Sequence, residues 1–383
     1  MIYLDNAATT RPFDEVIEVV GKVMREDFAN PSSLHHLGVK AEEVLDESRQ
    51  ILAEALQVEP GEVFFTSGGT ETNNLVIKGA AKAHRKKGQH IITSAIEHKS
   101  VLNTVQSLEE EGYEVSYLPV NSEGIVDLQV LEKTLRKDTI LVSIMHVNNE
   151  TGAIQPVDRI EEILRKHDPK PLFHVDAVQS FAKIPLHPHH SDIDLLSLSS
   201  HKIHGPKGMG ALFRRQGIRI APLLDGGGQE EGMRSGTENL SGIAGFARAV
   251  QLNFKQIFER QNHMSHLRRI FRNKLEEALG GVVVNTPDDR FAAPHILNVS
   301  FPGIQGEVLM RKLEAEGIYV STGSACTSGK STPSHVLKAM GKSQDEVQGA
   351  LRFSFSAMNR EEELEQVMEH LVPAVEKLRK RMG

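Results

Sequence analysis

Cysteine is almost absent: Cys326 is the only one in 383 residues, so no internal disulfide can form, as expected of a protein from a reducing compartment. Long apolar runs are missing too, and none approaches the ~18 apolar residues that a membrane-crossing helix needs. The opening Met1-Ile2-Tyr3-Leu4-Asp5 has neither the basic segment nor the apolar stretch of a secretory signal. No basic stripe interleaves with aromatics and the formal net charge is −7, which argues against direct nucleic-acid binding. Arg85-Lys86-Lys87 and the tail from Lys377 to Arg381 read as solvated helix ends. Internal repeats and low-complexity linkers are lacking. These absences leave the expectation of a cytoplasmic globular protein with no membrane partner, long enough for roughly two or three domains.

The chain itself alternates. An extended arm over 1–12 is followed by helices near 14–27 and 38–56. Apolar strands are predicted at 63–66, 90–94, 115–118, 140–145, 172–176, 195–199 and 210–213, with helices between them from about Glu71, 100–110, 128–135 and 157–166. Such alternation implies an α/β fold with a mainly parallel sheet covered by helices on both faces, and ligands sit beyond the carboxyl ends of its strands. After Gly226-Gly227-Gly228 the pattern changes. A long helical stretch starts near Asn239, where Leu267, Ile270, Phe271, Leu275, Ala278 and Leu279 mark one buried face. Strands at 296–300 and 350–354 and helices at 306–316 and 361–379 complete a smaller α+β domain. The expected division is a large domain over 13–258 and a small one from 1–12 and 259–383.

Chemically informative residues fall at the predicted strand ends. Gly68-Gly69-Thr70, between strand and helix, offers free N–H groups, a helix dipole and a hydroxyl that suit a phosphate, although such a turn also serves as a plain connection. Asp176 ends an apolar strand, where a carboxylate needs a protonated ring nitrogen, an ion pair or a helix cap to stay charged. Gln179 reaches the same side if the chain turns helical, and can hydrogen-bond a ring oxygen. Lys202 follows Ser199-Ser200-His201 and precedes Gly205-Pro206-Lys207-Gly208. A lysine that condenses with an aldehyde must be held in place and have its pKa lowered, which burial near a cation achieves. The apolar strand, the hydroxyls and the tight turn around Lys202 separate it from a solvated surface lysine. His98 suits stacking on an aromatic ring and proton transfer near neutral pH. Arg352, within an apolar strand, fits a bidentate clamp on a substrate carboxylate or a salt bridge to the other domain. His187-Pro188-His189-His190 is spaced too tightly for a zinc signature and reads as a surface loop. Cys326 sits among small residues with Gly323 and Gly329 on either side, a composition that suits a thiol not packed away, or simply a free cysteine in a loop.

Taken together, the motifs resemble those of the NifS/IscS-like cysteine desulfurases, within the class V aminotransferase family of pyridoxal-phosphate enzymes. The resemblance is carried in order by Leu-Asp-Asn-Ala-Ala-Thr-Thr at 4–10, Asn-Pro-Ser-Ser at 30–33, Thr-Ser-Gly-Gly-Thr-Glu at 66–71 and Glu-His-Lys at 97–99. It continues through His-Val-Asn-Asn-Glu-Thr-Gly at 146–152, His-Val-Asp-Ala-Val-Gln-Ser at 174–180, Ser-Ser-His-Lys at 199–202, Met-Arg-Ser-Gly-Thr-Glu at 233–238 and Gly-Ser-Ala-Cys-Thr-Ser-Gly at 323–329. It implies the fold type I architecture of pyridoxal 5'-phosphate enzymes and a homodimer. Lys202 would join the cofactor covalently and later move the α-proton. Gly69, Thr70, Ser199 and His201 would hold the phosphate, with Thr237 reaching it from the other subunit. Asp176 would pair with the ring nitrogen, Gln179 with the ring oxygen, and His98 would stack on the ring. Asn149 would border cofactor and substrate and, with Arg352, orient the carboxylate of L-cysteine. Cys326 would be the nucleophile, leaving alanine and an enzyme-bound persulfide for an acceptor protein, either an iron–sulfur scaffold or a tRNA- or cofactor-thiolation enzyme. Selenocysteine cleavage and transamination use the same cofactor, but transamination has no need of the thiol.

Overall fold

The structure, a computed structural model, describes residues 1–322 and 333–380. Cys326, and with it the expected thiol-bearing loop, lies outside the described residues. Among the described residues, seven strands form the main sheet in the order Val63–Thr66, Gly210–Arg214, Leu195–Ser199, Leu172–Asp176, Thr139–Met145, His90–Ser94, Glu114–Leu118. Neighbours from Leu195–Ser199 to Glu114–Leu118 run parallel, and Gly210–Arg214 is antiparallel to both of its neighbours. Val63–Thr66, His90–Ser94, Thr139–Met145 and Leu195–Ser199 are buried along their whole length. Burial on both faces is why these strands read as continuous apolar runs rather than alternating ones.

Helices Asp14–Glu26, His36–Leu56, Val157–Arg165 and Leu240–Phe254 contribute to the core on one face. Gly69–His84 and Lys99–Glu110 contribute to the core on the other. A further core gathers strands Ile296–Ser300 and Ala350–Ser354 with helices Ile257–Ala278, Gly306–Ala315 and Glu361–Arg379. The N-terminal arm joins it. Ile2 and Leu4 are buried there, and Ile2–Tyr3 pairs in parallel with Ile318–Tyr319.

The helical stretch expected to run on from Asn239 is two helices, broken between Phe254 and Ile257. The reason is packing. Ile243, Phe246 and Val250 belong to the core on one face of the main sheet, whereas Leu267, Phe271 and Leu275 belong to the further core, and one straight helix cannot bury both stripes. Two-residue strands at Ile2–Tyr3, Val283–Val284 and Ile318–Tyr319 are too short to show a period in sequence.

The further core depends on aromatic packing. Phe353 is fully buried and meets Phe271 edge-on, with ring centroids 4.9 Å apart. Phe353→Ala removes that ring and leaves a cavity, so chemical denaturation is expected to show a loss of about 3–5 kcal/mol.

Candidate active site

Four of the singled-out positions follow the carboxyl ends of parallel strands. Asp176 closes its strand, His98 follows His90–Ser94, Asn149 follows Thr139–Met145, and Lys202 follows Leu195–Ser199. Gly69 and Thr70 open the helix after Val63–Thr66. These residues, with Gln179, Ser199, His201 and Arg352, line one cavity of about 350 Å³.

Lys202 lies in a short turn, Ser200–Lys202, that is folded tightly against its surroundings. Gly205 donates its N–H to the Ser200 carbonyl, and a Cβ on Gly205 would fall 2.0 Å from Ser200 Oγ. The arm clamps the turn from the other side, where Thr10 donates both its N–H and its hydroxyl to the His201 carbonyl, each at 2.9 Å. Lys202 Nζ donates to the carbonyls of Ala7 at 2.6 Å and Ala8 at 2.7 Å. Burial, reinforced by the Arg352 cation and opposed by Asp5 and Asp176, pushes its pKa down to about 7.

Asp176 receives hydrogen bonds from Asn73 Nδ2 at 2.8 Å and from the Val178 N–H at 2.9 Å. The same Asn73 nitrogen donates to Ser100 Oγ at 2.8 Å. His98 Nδ1 accepts from the Ser100 N–H at 3.1 Å and lies 2.8 Å from Ser100 Oγ. Because a backbone N–H can only donate, His98 Nδ1 is the acceptor and the ring proton is on Nε2. Burial keeps the imidazole pKa below its ordinary value, with Asp176 opposing. Asn73 and Ser100 went unmarked in the sequence. Their signal was a polar residue on the buried face of an otherwise apolar helix, and a serine just after an imidazole that caps one.

Residues 177–181 do turn helically, with Ser180 and Phe181 both donating to the Ala177 carbonyl. This brings Gln179 to the cavity, where Nε2 donates to the Ala7 carbonyl at 2.9 Å. Asn149 is presented by a turn built on Asn148, whose Oδ1 accepts from the N–H groups of Glu150 and Thr151, each at 2.9 Å. Arg352 donates to the Asn149 carbonyl at 2.8 Å and to Asp5 Oδ1 at 2.7 Å. A salt bridge is therefore present, made to the N-terminal arm, and Arg352 also lines the cavity. Thr237 is not brought there. It lines a smaller, separate cavity with Thr66, Ser67 and Gly208. His189 pairs through Nε2 with Glu62 at 2.9 Å.

The cavity fits a flat, phosphate-bearing cationic ring. At one end, among the described residues, the helix from Gly69 has no side-chain cap on its N-terminus, and Ser199 Oγ beside it is buried without a partner. That is a place for an anion. A Cβ on Gly69 would lie 2.6 Å from Val178 Cγ2, so only glycine keeps this edge open. At the other end are the buried carboxylate of Asp176, the Gln179 amide and the His98 ring. Lys202, with its lowered pKa, is the one lysine among the described residues that line the cavity.

The aminotransferase class-V family profile matches residues 2–367. A protein named cysteine desulfurase IscS from Dictyoglomus turgidum is 43% identical over 378 residues, covering 99% of this chain and 95% of that one. A solved NifS-like protein superposes with a TM-score of 0.91 at 41% identity, covering 99% of this chain and 98% of that one. A structure described as SspA in complex with cysteine gives a TM-score of 0.79 at 36% identity, covering 94% of this chain and all of that one (100%).

The Lys202 amine gives a direct test of the electrostatics. In cofactor-free protein, carbamylation of Lys202 by cyanate, followed by mass spectrometry, is expected to reach half its maximal rate near pH 7 rather than near the ~10.4 of a free lysine. Arg352→Gln removes a cation that disfavours the charged amine and moves the midpoint up. Asp176→Asn removes an anion that favours it and moves the midpoint down.

Proposed function

The chain belongs to the aminotransferase class-V family and is a cysteine desulfurase dependent on pyridoxal phosphate, and we propose that the cavity around Lys202 is where it takes sulfur from L-cysteine. One observation carries this reading. A lysine held by two backbone carbonyls, a buried carboxylate, an imidazole and a helix N-terminus without a side-chain cap among the described residues all line a single cavity.

Lys202 would hold the aldehyde end of the cofactor, and Gly69, Thr70, Ser199 and His201 its phosphate. Asp176 would face the ring nitrogen, Gln179 the ring oxygen and His98 the ring. Bound there, pyridoxal phosphate supplies an electron sink for the charge left when the substrate loses its α-proton. Lys202 Nζ, with a pKa near neutrality, is suited to take that proton from the α-carbon and later return one. Arg352 and Asn149 orient the substrate carboxylate. Arg352 retains N–H groups beyond those given to Asp5 and the Asn149 carbonyl. Cys326, as thiolate, attacks the substrate sulfur. A sulfur–sulfur bond forms as the substrate's Cβ–S bond breaks, so one L-cysteine and one thiol become L-alanine and one persulfide without net oxidation.

Thr237, away from the cavity of its own chain, completes a phosphate site from a second copy, which makes the working unit a homodimer. The persulfide sulfur then goes to an acceptor protein, an iron–sulfur scaffold or a thiolation enzyme. The described helices include none long and apolar enough to cross a membrane.

Two variants separate the roles. Lys202→Ala is expected to lose the visible absorption band of the bound cofactor and to slow alanine formation by at least about 10²-fold. Cys326→Ala is expected to keep the band yet release no sulfide from L-cysteine in the presence of a reductant. Unchanged sulfide release by that variant would remove Cys326 from the mechanism.

A further inference from the structure

Among the buried polar groups to which the cofactor assignment gives no task is His295. It immediately precedes the strand Ile296–Ser300, has no exposed surface, and its carbonyl accepts from the Phe355 N–H at 2.9 Å. It does not line the cavity. Its Nε2 lies 3.3 Å from Oε1 of Gln179, which does.

The chemistry of these contacts fixes where the protons are. The Ala7 carbonyl has only lone pairs to offer, so the Gln179 atom 2.9 Å from it must be the amide nitrogen, and the amide oxygen must face His295. That oxygen cannot donate, so His295 Nε2 does. The ring is neutral, because burial and then the cations Lys183, Arg352, Arg268 and Lys202 hold its pKa well below the ordinary value. Its single proton is therefore on Nε2 and Nδ1 is bare. Nδ1 is indeed buried with no partner among the described residues, an arrangement far worse for an imidazolium, whose second N–H would be left without an acceptor. Both fixed contacts of the Gln179 amide are then accounted for. One hydrogen goes to Ala7, the oxygen is held by His295, and one N–H, at the cavity, has no partner among the described residues.

We propose that His295 is a positioning residue acting through Gln179: by donating Nε2–H to the amide oxygen, it locks the amide so that its remaining N–H faces the ring oxygen of the cofactor. The inference rests on the cofactor reading of the cavity given above. Without His295, the amide keeps one anchor and rotates about its χ3 torsion, which is broad for such a terminal group.

The test compares cofactor-free wild type with His295→Asn and His295→Gln. In glutamine the side-chain nitrogen can occupy the place of Nε2, whereas in asparagine it reaches only the place of Nδ1, so H295Q keeps the donor and H295N loses it. H295N is expected to bind added pyridoxal phosphate about fivefold to tenfold more weakly, the effect of one buried hydrogen bond. It is also expected to displace the maximum of the visible absorption band. H295Q restores both readouts towards wild type. In a Gln179→Leu background, H295N causes no further change in either. Thermal melting of the cofactor-free proteins monitors folding. Wild-type affinity and spectrum in H295N, equal impairment of H295N and H295Q in folded protein, or a full effect of H295N in the Q179L background would each overturn the assignment. If wild type itself takes up no pyridoxal phosphate, the reading of the cavity falls and this inference falls with it.

Discussion

The contact on which the site depends is that of Lys202 Nζ with the carbonyls of Ala7 and Ala8. Two backbone carbonyls hold the amine in place with dipoles rather than with a full negative charge. A carboxylate in the same position would hold it as tightly but would stabilise the ammonium and keep the pKa high. Carbonyls let burial dominate, so the amine titrates at about 7 while remaining fixed. The arm that supplies them must therefore be placed accurately. Ala7 N–H donates to Ser354 Oγ, Asn6 Nδ2 donates to the Ser354 carbonyl, and Ile2 and Leu4 are buried in the further core. The core built around residues 267–375 thus positions a lysine that emerges from the main sheet.

The surrounding charges are consistent with that arrangement. Glu97, fully buried, is pushed up to about 8 by desolvation, and Glu150 to about 7. Near neutral pH Glu97 is therefore largely protonated and Glu150 substantially so, and neither adds a full negative charge that would stabilise the ammonium. Each still has a structural bond: Glu97 Oε1 accepts from the Met145 N–H at 3.0 Å, and Glu150 Oε2 accepts from Ser334 Oγ at 2.5 Å. The carboxylates that do act on Lys202 are Asp5, which is paired with Arg352, and Asp176, which is satisfied by Asn73 and Val178.

Much of the main sheet was legible in the sequence because its strands are buried on both faces and stand out as short apolar runs between helical periods. Leu172–Asp176 and Leu195–Ser199 have the boundaries expected of them. Once the sheet is parallel, its strand ends identify where Asp176, His98 and Lys202 converge. Relations between distant segments were not legible. Nothing local about Ala7 marks it as the acceptor of a lysine 195 residues away. Asn73 looks like an ordinary helix residue until Asp176 and Ser100 are brought to its two amide hydrogens. The break at 255–256 depends on which core each helical stripe faces, and that is a property of the assembled chain.

The Ala7 carbonyl also explains why lysine and amide do not compete. A carbonyl oxygen has two lone pairs, and here one donor is Lys202 Nζ and the other is Gln179 Nε2. Lys202 must move during any reaction in which its amine changes partner, and its departure vacates only one of the two. The contacts of Gln179 with the Ala7 carbonyl and with His295 do not involve the Lys202 amine. The site can thus let its reactive group travel while the groups that define the frame of the cavity stay still. That separation requires the frame groups beside Lys202 to hold it through neutral hydrogen bonds, because an ion pair with Lys202 would tie the frame to the charge on the amine.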